Sequence, residues 1–384
     1  MNKHRFSVLD SYRGLFACLV AMSHFNAYNP FQNSHIFNRG GIWVDFFFVL
    51  SGFVIYANYS EKLRSGFGAA KFIFLRIGRL YPLHLAILLA YISVDLVQYV
   101  VHIDGAALYA PFSAPGEDIS AIIANVFLVH SLGIVDELSF NGPSWSISVE
   151  FYTYILFAFV LIYSGRFYRH ITFLVALISL VILCMNSTQL LEKLDFGFFR
   201  CVYGFGCGAL VWEVFNVWHK KIGPIIGDYK IKSHVIELAA VVLGLVYVNY
   251  FAFSALSFFA PLVFGVFILL FSFEAGIVSK FLKQRFFLLL GTLSYSIYMV
   301  HMFVGGYAFA LPTRLLEGKL GWNLTTQVDG ISLFGTGIIS GTAVELFYLA
   351  LVVCCSFVSY KIIEEPFRKW SKQYVKNLEN KPQP

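Results

Sequence analysis

Ten stretches of this 384-residue chain are long enough and apolar enough to cross a bilayer, which removes most of the folds open to a chain of this length. They fall at about 8–27, 42–59, 80–102, 145–163, 170–186, 196–214, 234–250, 256–274, 287–310 and 333–358. A span needs roughly 20 residues with few charges. Lipid offers the backbone no hydrogen-bond partners, so each span must be a helix or a strand of a closed barrel. Runs this long and this uniformly apolar are helices, because barrel strands alternate. Composition agrees: 58% of residues are hydrophobic and 13% charged, against about 25% charged in a soluble domain. The first run superficially resembles a signal peptide, but Arg13 and His24 lie inside it, so it reads as an uncleaved span. An eleventh stretch, about 119–134, is shorter and polar at its ends.

The basic residues orient the bundle, since cytoplasmic loops collect Lys and Arg. If the N-terminus is cytoplasmic and 119–134 does not cross, 23 of the 28 Lys and Arg face inward or sit at inner helix ends. Arg39, Lys193, Arg314 and Lys319 face outward, and Arg200 sits within a span. If 119–134 crossed, every later loop would flip and 15 basic residues would face outward. The expectation is therefore an all-α polytopic membrane helix bundle with about ten transmembrane helices plus one re-entrant or interfacial helix. It forms a single domain, 1–384, in the inner (plasma) membrane, with both termini cytoplasmic and 372–384 as a tail. The net charge of +6 follows from this topology and predicts no nucleic-acid partner. The six Cys, at 18, 184, 201, 207, 354 and 355, all lie in apolar runs without CxxC or Cys/His ligand spacing. No metal site is expected.

Ionisable residues inside spans are costly and point to function. Arg13 and His24 are eleven residues apart, nearly three helical turns, so one face carries both with a rise of about 16 Å. Asp10 precedes Arg13 by three residues and can pair with it. His35 lies in the next outer segment. Asp45 opens the second span, as a helix cap or as a partner for His24. Arg76 and Arg79 share one helix side at the inner start of the third span. They act either as positive-inside anchors or as a phosphate clamp, for which guanidinium geometry is suited. Glu150 sits near the outer end of the fourth crossing, with Ser146 and Thr153 on its face. Ser294, Tyr298 and His301 form an i, i+4, i+7 stripe on the ninth. Arginines thus gather at the inner face, and His24, His35, Asp45, Glu150 and His301 toward the outer one. Tyr109 and Trp322 in outer loops read either as sugar-stacking or as interfacial aromatics.

The order of these segments resembles integral membrane acyltransferase family 3. It runs from Leu9-Asp10 with Arg13 and His24 through Val44-Asp45-Phe46-Phe47-Phe48-Val49-Leu50-Ser51-Gly52-Phe53 to Arg76–Pro82. Ser144-Trp145-Ser146 with Ser148-Val149-Glu150 follows, then Leu293-Ser294-Tyr295-Ser296-Ile297-Tyr298 with His301, and finally Ile363-Glu364-Glu365-Pro366-Phe367-Arg368. Ser11-Tyr12 before Arg13 and Phe151-Tyr152 after Glu150 depart from the usual pattern. The resemblance implies transfer of an acyl group, most often acetyl, from cytoplasmic acyl-CoA as co-substrate, with no bound cofactor. The acceptor it implies is a hydroxyl of a polysaccharide or lipid-linked sugar such as O-antigen or exopolysaccharide. It also implies that Arg13, Arg76 and Arg79 serve the donor and that His24 carries the chemistry, as general base or as acyl carrier. Asp45 or Glu150 would orient His24, His35 is a further catalytic candidate, and Asp10, Ser146, Tyr298 and His301 support. A polytopic transporter or exporter is the competing class, though the chain shows no repeated halves. Membrane lipids surround either, and oligomeric state is left open.

Overall fold

The computed structural model describes residues 6–30, 34–38, 40–101, 112, 115–191, 193–226 and 230–380. Tyr109 and Arg39 lie outside these residues, as do the side-chain surroundings of His35. In chain order the helices are α1 (Ser7–Ser23), α2 (His35–Asn38), α3 (Trp43–Arg64), α4 (Ala69–Val101), α5 (Ile119–Val126), α6 (Trp145–Tyr163) and α7 (Tyr168–Asn186). Then come α8 (Gly197–Ile226), α9 (Lys230–Phe251), α10 (Ala260–Phe271), α11 (Ile277–Leu282), α12 (Arg285–Phe303), α13 (Leu311–Leu320), α14 (Ile338–Ser359) and α15 (Glu365–Glu379).

Every expected apolar run is helical over most of its length. Among the described residues, eight helical segments are long and apolar enough to cross a membrane. The first run gives the 17-residue α1, and the eighth gives the shorter stretch Ala255–Phe271. The stretch expected to be re-entrant or interfacial forms only α5, eight residues or about 12 Å, too short to cross. Asp118 caps it by accepting from the Ala121 N–H at 2.8 Å. That bond, with one from the Ser120 hydroxyl, holds the Asp118 carboxyl below its ordinary range.

Two boundaries differ from expectation. Helix α4 starts at Ala69, so Arg76 and Arg79 lie within a helix of 33 residues rather than just before one. The last span begins at Ile338, not 333, because an antiparallel hairpin precedes it, β1 (Thr325–Val328) and β2 (Ile331–Phe334). Its turn is Asp329-Gly330, with φ of 49° and 79°, the positive-φ pair that a tight hairpin requires.

The chain divides into two compact units. The first comprises 1–16, 41–73 and 149–294. Its centre is the contact of α3 with α8, where glycines let two backbones meet. A Cβ on Gly208 would lie 1.8 Å from the Val49 carbonyl oxygen, and one on Gly52 would lie 2.0 Å from that of Phe205. Gly204 and Gly208 are one turn apart and both face α3, while Gly206 faces Ala176 of α7. Small residues at this spacing are how helices pack closely in lipid, where no hydrophobic drive brings them together. Arg200 precedes Gly204 by one more turn, on the same face.

The second unit comprises 17–40, 74–148 and 295–384. Here the strand-like segment after α1 lies beside the hairpin. The Tyr28 N–H donates to the Phe334 carbonyl (2.9 Å), and the Phe334 N–H donates to that of Asn26 (2.8 Å). Phe25 is stacked between Phe334 (centroids 4.7 Å) and Tyr348 of α14 (4.0 Å). Helix α15 is amphipathic: Ser371 and Val375 are buried, and Ser371 meets α4 at Gly78.

Candidate active site

His24 is the first residue past α1, so its placement comes from that helix's last turn rather than from helical phase alone. Its Nδ1 lies 2.8 Å from the Val20 carbonyl oxygen. A carbonyl can only accept, so Nδ1 carries the proton and Nε2 the lone pair. A backbone carbonyl thus orients the ring.

The His301 ring stands 5.1 Å from that of His24, centroid to centroid. His301 is fully buried. Its Nδ1 lies 2.8 Å from the Tyr298 carbonyl oxygen, which fixes the same tautomer. Its Nε2 has no hydrogen-bond partner among the described residues. The Tyr348 hydroxyl lies 3.1 Å from the His301 carbonyl oxygen and 3.3 Å from that of Ala21, its one proton shared between the two backbone acceptors. The Tyr298 hydroxyl accepts from Ser146 Oγ (2.9 Å) and donates to the Pro143 carbonyl (3.0 Å). The Ser294–Tyr298–His301 stripe therefore splits: its last two members belong to this cluster, and Ser294 belongs to the first unit.

Arg76 and Arg79 lie in the second unit as well, Arg76 being buried and Arg79 half-buried. Near them the Tyr295 hydroxyl donates to the Leu80 carbonyl. Glu364 accepts from Ser296 at 3.0 Å and lies 3.8 Å from Arg368.

In the first unit Arg13 is held by α12. Its Nε donates to Ser294 Oγ at 2.7 Å, and its Nη2 to the Gly291 carbonyl at 2.9 Å. Asp10 stands 3.4 Å away, the expected i, i+3 partner. Gly14 and Gly291 make this crossing close, for a Cβ on Gly14 would lie 2.4 Å from Gly291 N. Glu150 accepts from the Tyr154 hydroxyl at 2.6 Å. That leaves the Tyr154 oxygen to accept from Ser51 at 2.7 Å.

Asp45 is fully committed elsewhere. Its two oxygens take Arg200 Nε (2.9 Å) and Nη2 (2.7 Å), a bidentate pair with both side chains wholly buried. Arg200 also donates to the Gly41 carbonyl at 2.6 Å. Nor does Asp45 cap α3, whose N-cap is Ile42. Arg200 is the residue that sequence reasoning left without a role. Its partner is 155 positions away, and only its place one turn before Gly204-x-x-x-Gly208 marks the face it serves. His35 begins α2. Among the described residues no group of three or more His, Cys, Asp or Glu is placed to hold a metal ion.

Helices long and apolar enough to cross a membrane, eight of them among the described residues, define a polytopic helical membrane protein. The sequence profile of the acyltransferase domain family (family 3) matches residues 6–361, and the chain belongs to that family. It is similar to acyltransferase MdmB of Streptomyces mycarofaciens, 29% identical over 147 residues. That match covers 37% of this chain and 34% of the other, so the chain spans about a third of the length of the curated relative it matches. No solved structure matches it.

Proposed function

We propose that the protein transfers an acyl group, most often acetyl, from cytoplasmic acyl-CoA to a sugar hydroxyl of an exported or cell-surface polysaccharide. On this reading it sits in the inner membrane with both termini cytoplasmic. The observation that carries the chemistry is the bond from His24 Nδ1–H to the Val20 carbonyl, which leaves Nε2 as the basic nitrogen. A neutral imidazole is a competent general base near neutral pH. It takes the proton of the acceptor hydroxyl as that oxygen attacks the thioester carbonyl. The acyl–sulfur bond breaks, and the proton held on Nε2 passes to the departing thiolate. Arg76 and Arg79 supply guanidinium groups for the donor's phosphates. Arg13, fixed by Ser294 and Gly291, is a further cation that the family resemblance gives to the donor.

The test is thiol release from acetyl-CoA by protein in nanodiscs, with and without an extracytoplasmic glycan fraction. Glycan-dependent release is expected. His24→Ala should lower kcat by about 10²–10⁴-fold, the usual worth of a general base. Arg76→Ala/Arg79→Ala should chiefly raise KM for the donor. Undiminished transfer by folded His24→Ala protein rules out the catalytic role. Release by neither protein nor variant points to a different donor or to transport.

A further inference from the structure

The residues from His24 to Pro30 follow α1 without forming a helix of their own. One face of α14 holds them. Gly341, Glu345 and Tyr348 are spaced i, i+4, i+7 and so share that face. A Cβ on Gly341 would lie 2.1 Å from the Tyr28 carbonyl oxygen, so glycine is what lets the segment come so close. The Tyr348 ring stacks on Phe25, with centroids 4.0 Å apart and planes 6° apart. Between these two contacts, Glu345 Oε2 accepts from Asn29 Nδ2. The glycine and the tyrosine act by shape, but Glu345 is a different matter. It lies in a helix long and apolar enough to cross a membrane and is only 5% exposed. A carboxylate in such a place is costly and points to a function. Among the described residues no Lys or Arg answers it, and its hydrogen bond is with a neutral amide.

We propose that Glu345 is a positioning residue for the acyl transfer: by holding Asn29 it fixes the segment that begins at His24. This rests on the reading of His24 as the reacting imidazole. The histidine is then anchored from both sides. Upstream, the Val20 carbonyl sets its ring from the last turn of α1. Downstream, Asn29 is five residues away and is tied to α14. With that end released, only the backbone bonds to Phe334 and the stack of Phe25 would hold the segment. Glu345 moves no proton, forms no covalent bond and touches no substrate. It acts on where the imidazole stands, and a misplacement of about 1 Å can cost roughly a hundredfold in rate.

The test reads the segment directly and then the reaction. Full-length protein in nanodiscs carries a spin label at Asn26→Cys, an exposed position two residues after His24, with Cys184, Cys354 and Cys355 replaced. Four variants are compared with this parent. Glu345→Leu removes the acceptor and leaves no charge behind in the membrane. Glu345→Gln keeps an acceptor oxygen. Asn29→Asp sets a second carboxylate against Glu345, and Asn29→Asp/Glu345→Gln remakes the bond with donor and acceptor exchanged. The label should be restricted in the parent and in Glu345→Gln. Its lines should narrow in Glu345→Leu and in Asn29→Asp, and broaden again in the exchanged pair. In thiol release from acetyl-CoA with the extracytoplasmic glycan fraction, Glu345→Leu should lower kcat roughly ten- to a hundredfold with KM for acetyl-CoA unchanged. Glu345→Gln should stay close to the parent. An unchanged label spectrum in Glu345→Leu overturns the proposal. So does an exchanged pair as mobile as Asn29→Asp, and so does a loosened segment with undiminished kcat. The spectra need no turnover, so a parent that releases no thiol overturns the acyl-CoA reading while the label still decides whether Glu345 holds the segment.

Discussion

At the residue scale, the Asp45–Arg200 pair carries a sharp expectation. Both side chains are wholly buried and their bonds are bidentate. Removing one partner leaves a charge in a low-dielectric interior, at a cost of about 3–5 kcal/mol. Replacing both with apolar residues of similar volume removes that penalty. Thermal unfolding in detergent should therefore rank Arg200→Met and Asp45→Leu well below wild type, and the double variant above either. If the double variant falls by the sum of the two, the charges act independently and the pairing is wrong. The residues of this pair were readable one by one, as Asp45 at a helix start and Arg200 inside a span. Their union was not, because no local spacing links positions 45 and 200. His24 was legible for the opposite reason. A histidine eleven residues after an arginine in the same largely apolar run is conspicuous by its cost. Its orienting acceptor was not legible, since a backbone carbonyl leaves no mark in a sequence.

At the element scale, α3 and α8 meet through glycine. An added methyl at Gly208 or Gly52 collides with a facing backbone carbonyl, and backbone cannot swing aside as a side chain does. Overpacking costs about 1–3 kcal/mol, occasionally more. Gly208→Ala and Gly52→Ala should each lower the unfolding temperature. Gly318→Ala, where a Cβ meets nothing within 4 Å in the interior of α13, should raise stability by about 0.5–1 kcal/mol. A ranking in which Gly318→Ala is the most damaging would show that α8 does not press on α3. Hydropathy made the long apolar helices legible, because apolarity over 17 or more residues needs no partner to be seen, whereas α2, α11, α13 and α15 were not among the expected runs. Of the hairpin, only Leu333 and Phe334 fell inside the last apolar run; its Asp329-Gly330, just before that run, is a strong short signal for a tight turn that hydropathy does not register.

At the scale of the whole molecule, the proposed topology rests on the charge pattern and on the short α5. Single cysteines at Pro115 and Asp136, both exposed, flank α5. They are best introduced where the exposed Cys184 and Cys354 have been replaced. If 119–134 does not cross, an impermeant maleimide applied to intact cells should label both, and a cysteine at Asn377 should react only after lysis. Labels on opposite sides at Pro115 and Asp136 would mean that the segment crosses and that every later loop is inverted.

The pairing of 26–28 with Phe334, and the seating of Phe25 between Phe334 and Tyr348, fix a schedule as well as a place. The residue after His24 is held by groups that leave the ribosome some three hundred residues later. Until α14 is inserted, the imidazole has its helix but neither the stack nor the strand that settles the segment it begins. On the proposed reading of His24, activity would wait until α14 is in place. A nascent chain stalled before Phe334 can sit in the bilayer with its first helix in place and still be chemically silent.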